Sequence, residues 1–68
     1  MSKDGQKDRR LGVNIRSARI AQGMTQQTLA ERADLSVPYI SRVERGEKEP
    51  SLSTLLRVAD ALDIGLDE

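Results

Sequence analysis

Neither cysteine nor histidine occurs among the 68 residues. Without thiols there is no disulfide framework and no thiolate nucleophile. Without imidazoles the usual zinc ligands and the commonest general acid and base are missing together. Catalytic readings therefore start far behind, and no cofactor and no metal are expected. Aromatic residues are nearly absent as well, with one Tyr and no Phe or Trp. The longest uninterrupted apolar run is two residues, as at Leu55-Leu56. That leaves neither a signal-peptide core nor a membrane span, and a cytoplasmic location is the expectation. A chain this short makes one small domain with a modest core and a stability margin of a few kcal/mol.

An excess of one charge sign is also lacking, with 11 Lys and Arg against 11 Asp and Glu. The distribution is uneven. Residues 1–48 hold ten basic and six acidic side chains, a balance of +4, whereas residues 49–68 hold one and five, a balance of −4. A partner with a phosphate backbone needs positive charge on one face only, so an acidic far end does not exclude it. Short charged chains also reach such asymmetry by chance, and it counts as mild support.

The informative stretch is Thr25 to Arg45, TQQTLAERADLSVPYISRVER. Thr25 suits an N-cap, and Leu29, Ala30 and Ala33 follow on one helical face. Asp34 and Leu35 sit where a sharp turn is needed. Ser36 then offers a second cap ahead of Ile40 and Val43, an apolar pair at i, i+3. Two short helices joined by a tight turn outline a helix-turn-helix. On the second of them Pro38, Ser41, Arg42 and Arg45 fall opposite the buried pair. An α-helix fits the major groove of duplex DNA, where arginine donates two parallel hydrogen bonds to guanine O6 and N7. An exposed arginine pair taken alone is more often ordinary solvated surface.

The remaining elements read as supports. Met1 to Arg10 is polar and aperiodic, a disordered arm whose Arg9 and Arg10 are candidate DNA contacts, although most such tails are merely solvated. A first helix from about Leu11 to Gln22 buries Leu11, Ile15 and Ala18, and Gly23 follows where a left-handed cap is wanted. Val13 and Ile20 lie off that stripe, either completing the core or forming a small patch. After the Gly46 to Pro50 loop, Ser51 caps a helix whose Leu52, Leu55, Leu56, Ala59 and Leu62 recur at core spacing. Ile64 to Glu68 looks like the start of a fifth helix.

The spacing of Arg19, Gly23-Met24-Thr25-Gln26, Leu29-Ala30, Ser36, Tyr39-Ile40-Ser41, Glu44-Arg45-Gly46, Pro50-Ser51 and the Leu55 to Leu62 run resembles the phage-repressor family (Cro/cI-type, Xre-like) of helix-turn-helix domains. The match covers residues 11 to 66 almost without a gap. It implies an all-α, lambda-repressor-like bundle of four to five short helices over residues 11–68, with 36–45 as the recognition helix. It also implies an ion pair between Arg19 and Glu44 that pins the recognition helix to the first. One departure stands out: the family usually has glycine where this chain has Asp34, which tolerates left-handed angles at some cost in stability.

On this footing Val37, Pro38, Ser41, Arg42 and Arg45 are the expected base contacts, with Arg42 the principal hydrogen-bonding reader. Pro38 disfavours helical angles at Val37, so the recognition helix is expected to start one residue later than the family template. Thr25, Gln26, Gln27, Ser36, Tyr39 and Lys48 are the expected phosphate contacts, the first three because a helix N-terminus attracts anions. Thr25 doubles as a cap, Tyr39 divides evenly between a phosphate and the edge of the core, and Gln26 shows no other local role. The functional expectation is a repressor or controller that binds palindromic double-stranded DNA as a homodimer. The alternative is an antitoxin-like or protein-interaction module on the same fold.

Overall fold

The computed structural model describes residues 10–63. Four helices occupy them in the order α1 (Arg10–Ala21), α2 (Gln26–Ala33), α3 (Val37–Glu44) and α4 (Leu52–Ala61). The domain is all-α, as expected, with α2 packed against both α3 and α4 and α1 packed against α3. Leu29, Ile40, Val58 and Leu62 form the fully buried centre, ringed by Ile15, Met24, Ala30, Ala33 and Val43. None of the described helices is long and apolar enough to cross a membrane.

Local sequence explains where each element starts and stops. The hydroxyls of Thr25, Ser36 and Ser51 accept the backbone N–H groups of Thr28, Tyr39 and Thr54 at 3.0, 3.1 and 3.2 Å, so every anticipated N-cap is realised. The first three helices end alike. A residue with left-handed backbone, Gly23, Asp34 or Gly46, lets the next N–H reach back to a carbonyl five residues earlier. Met24 thus bonds Arg19 at 3.0 Å, Leu35 bonds Ala30 at 2.8 Å and Glu47 bonds Arg42 at 2.9 Å. Two of those reversals bring the side chains of Met24 and Leu35 onto the core.

Asp34 (φ 60°) carries its Cβ in a region that suits glycine. Arg57 on α4 braces the turn by donating to Ala33 O at 2.8 and 3.1 Å and to Asp34 O at 2.6 Å. The Asp34 carboxylate lies 3.7 Å from Arg57 Nη2 and is fully exposed, so that ion pair contributes little. Asp34→Gly should therefore raise the free energy of unfolding by about 0.5 to 1 kcal/mol, measured by urea denaturation. A midpoint that stays level or falls would show that the carboxylate outweighs the backbone strain.

Three expectations need correction. Leu52 and Leu56 are 71% and 47% exposed, so α4 does not bury both. Its inward stripe is Leu55, Val58, Ala59 and Leu62 at i, i+3, i+4 and i+7; Leu56 lies about 100° round from Leu55, and Leu52 projects from the first turn. On α1 the buried residues are Gly12, Ile15 and Arg19, with Leu11 and Ala18 only partly covered; Val13 and Ile20 are exposed. Arg10 is not part of an arm: it is the first residue of α1. Arg9 and the fifth helix expected at 64–68 lie outside the described residues.

Candidate nucleic-acid interface

α3 has two chemically distinct sides. Ile40, Val43 and Glu44 are buried, while Pro38, Arg42 and Arg45 are exposed and Ser41 is half-buried. The helix begins at Val37 with Ser36 as its cap, one residue inside the 36–45 span; contrary to expectation Val37 is itself helical, since Pro38 in the first turn removes an N–H that has no partner within the helix. Val37 is 39% exposed at this leading end.

The inner side is held by a buried polar cluster. Glu44 Oε2 accepts Arg19 Nε at 2.7 Å, and Glu44 Oε1 accepts Arg19 Nη2 at 3.0 Å. Arg19 Nη1 also donates to Met24 O at 2.9 Å, so one guanidinium ties α3 to the end of α1. The anticipated Arg19–Glu44 pair is present and is bidentate. Gln26 completes the cluster, its Nε2 donating to Glu44 Oε1 at 3.1 Å. The expectation that the Gln26 side chain has no local role is thereby overturned, since it links the start of α2 to the recognition helix. Every buried side-chain nitrogen and oxygen among the described residues has a partner.

The other candidates divide by what already occupies them. Thr25 and Ser36 have their hydroxyls engaged in capping, and Thr25 also donates to Thr28 Oγ1 at 3.1 Å. Gln27 donates across one turn to Glu31 at 3.3 Å. Tyr39 packs its ring on the core. Lys48 is exposed. Arg45 is held by Glu47 through two 3.0 Å bonds, from Nε and Nη2, and its Nη1 donates to Ser41 Oγ. The Glu47 hydrogen bond and charge raise the Arg45 pKa, so the guanidinium stays cationic. Arg42 differs: its side chain is exposed and makes no hydrogen bond or ion pair with the described residues.

The chemistry of this surface is donation of hydrogen bonds and positive charge from a rigid helix, with further backbone donors at the start of α2. Among the described residues no group of Asp, Glu, His or Cys is placed to hold a metal ion. Gly12, Glu47 and Arg57 do not stand out in the sequence. The Arg45-Gly46-Glu47 order is the available signal for Glu47, since glycine after a helix returns the next residue to the last turn.

The Helix-turn-helix family model matches residues 15–68. The chain belongs to this family. Several of its curated relatives are named as transcriptional regulators. The immunity repressor protein of Bacillus phage phi105 is 46% identical over 54 residues, which cover 79% of this chain and 38% of that protein. Among solved structures, the restriction-modification controller protein C.AhdI from Aeromonas hydrophila is 42% identical with a TM-score of 0.79, over 81% of this chain and 83% of that one. The tetramer of the controller C.Esp1396I in complex with its natural 35 base-pair operator aligns at a TM-score of 0.80 and 28% identity, over 84% of this chain and 75% of that one. The helix-turn-helix chain spans only 26% to 50% of the length of the first curated relatives it matches.

Proposed function

We propose that this domain binds double-stranded DNA sequence-specifically and serves a transcriptional regulator, with α3 in the major groove. The observation that carries the reading is the outer side of α3, where Arg42 is exposed and makes no hydrogen bond or ion pair with the described residues while Ile40, Val43 and Glu44 fix the opposite side. Arg42 is the principal base reader, Pro38 and Val37 offer apolar contact to a thymine methyl, and Ser41 and Arg45 flank them. Backbone N–H groups at the start of α2, together with Gln26, Gln27, Thr25, Ser36, Lys48 and the Tyr39 hydroxyl, set register on phosphates.

Two copies on a two-fold symmetric operator fit this reading, since one small module makes few base contacts and pairing raises effective concentration. The controller of known operator complex assembles as a tetramer on DNA. Leu52 and Leu56, exposed on α4, supply apolar surface that a second copy would cover. A DNA partner in a bacterial or phage setting fits a cytoplasmic location.

Selection of bound duplexes from a random DNA pool, followed by titration at two salt concentrations, tests the function. Binding should weaken steeply with salt as counterions are released. Arg42→Ala should lose about 1 to 3 kcal/mol of discrimination at one base pair and leave binding to random duplex nearly unchanged. Equal loss on selected and random duplexes would reduce Arg42 to a phosphate contact. No binding at low salt would end the DNA reading.

A further inference from the structure

Past its last turn α3 carries a fixed side-chain array. Gly46 (φ 78°) reverses the chain, and Glu47 N–H bonds Arg42 O at 2.9 Å, so the backbone of Glu47 is tied to the helix rather than loose in the loop. From that position its carboxylate takes one edge of Arg45, Oε2 from Nε and Oε1 from Nη2, each at 3.0 Å. Ser41, one turn earlier on the same side, accepts from Nη1. A guanidinium has five N–H donors. Glu47 takes two and Ser41 one, leaving one on each terminal nitrogen.

We propose that Glu47 is a specificity-determining positioning residue that holds Arg45 at the rim of the α3 surface and reserves its two remaining N–H groups for guanine O6 and N7 rather than for phosphate. The proposal rests on the DNA-binding reading above. At the C-terminal end of α3, past the turn that carries Arg42, an unpaired guanidinium is drawn to phosphate by charge alone. Paired with a carboxylate it becomes a neutral unit that still donates hydrogen bonds. For a phosphate approaching that unit the Glu47 charge offsets most of the attraction of the guanidinium, whereas guanine O6 and N7 are uncharged acceptors that depend on the hydrogen bonds themselves. Glu47 thus trades general attraction for discrimination. The side chains of Arg45 and Glu47 are 55% and 54% exposed, so the pair adds little to folding and its removal leaves the domain intact.

The test compares the wild-type chain, Glu47→Gln, Arg45→Ala and the double variant on the duplex the wild type selects and on a random duplex, at two salt concentrations. Glu47→Gln should bind random duplex more tightly, with a salt dependence steeper by about one counterion. Its preference for the selected duplex should fall about tenfold, the loss falling on one G·C pair. In the Arg45→Ala background the same substitution should leave the preference unchanged. The proposal is overturned if Glu47→Gln shifts both duplexes equally, or if its effect survives without Arg45, since either marks a general charge effect. A wild-type chain with no preference for any duplex removes the DNA reading and this proposal together. That outcome is distinguishable, because the wild type alone reveals it.

Discussion

Replacing Gly12 with alanine should destabilise the domain by about 1 to 3 kcal/mol, against the usual helix rule. At an exposed interior position that substitution ordinarily stabilises a helix by about 1 kcal/mol, because glycine loses more backbone entropy on folding. Here the added methyl has nowhere to go. A Cβ on Gly12 would stand 2.3 Å from Val43 O, 2.7 Å from Glu44 O and 2.9 Å from Glu44 C. All three are backbone atoms at the end of α3, so no rotamer change relieves the clash and α1 itself must move away. Such a shift also pulls Arg19 from Glu44, since those residues bridge the same two helices. Ser17→Ala, on the exposed side of α1, is the control and should stay within about 0.5 kcal/mol of wild type. Urea denaturation followed by circular dichroism compares the two. Equal midpoints would mean that α1 and α3 do not approach this closely in solution.

The contrast between Gly12 and the capping residues shows what the sequence could and could not reveal. Thr25, Ser36 and Ser51 act on backbone three residues away, so their roles are written in local order and are directly legible. The left-handed turns at Gly23, Asp34 and Gly46 are legible for the same reason. Gly12 matters through a contact with residues more than thirty positions later, and nothing near it in the chain announces that. Helix α4 misleads in another way. Its leucines at 52 and 56 have the hydrophobicity of core residues, but hydrophobic type does not say which way a helix is turned, and the smaller Val58 sits at the centre instead. Arg57 and Glu47 look like plain charge in the sequence because their partners, two carbonyls and a guanidinium, depend on how the chain returns. At the candidate interface the face of α3 is legible from its periodicity. Which of its arginines is unengaged is not, since Arg42 and Arg45 are alike in the sequence and differ only in what surrounds them.

Breaking the buried ion pair should have the largest effect of any single substitution. Arg19→Ala leaves the Glu44 carboxylate, its side chain 2% exposed, with Gln26 as its remaining side-chain partner. Removing one partner of a buried pair costs about 3 to 5 kcal/mol, because the other charge stays desolvated and uncompensated. A domain of this size has only a few kcal/mol to lose, so the variant should be largely unfolded at room temperature. Arg19→Lys should recover only part of the loss. A lysine carries its three N–H donors on a single nitrogen and cannot span both carboxylate oxygens and Met24 O as the guanidinium fork does. Arg19→Met combined with Glu44→Leu should be less damaging than either Arg19→Ala or Glu44→Ala, since neither charge is then left buried alone. Urea denaturation of these variants gives their order of stability. Two single alanine variants that each cost under about 1 kcal/mol would show that the pair is wetter and looser than its geometry indicates. Because Glu44 lies on α3 and Arg19 on α1, a folded double variant should keep salt-dependent affinity for duplex DNA while losing preference among sequences, the signature of a recognition helix that is present but no longer held at one angle.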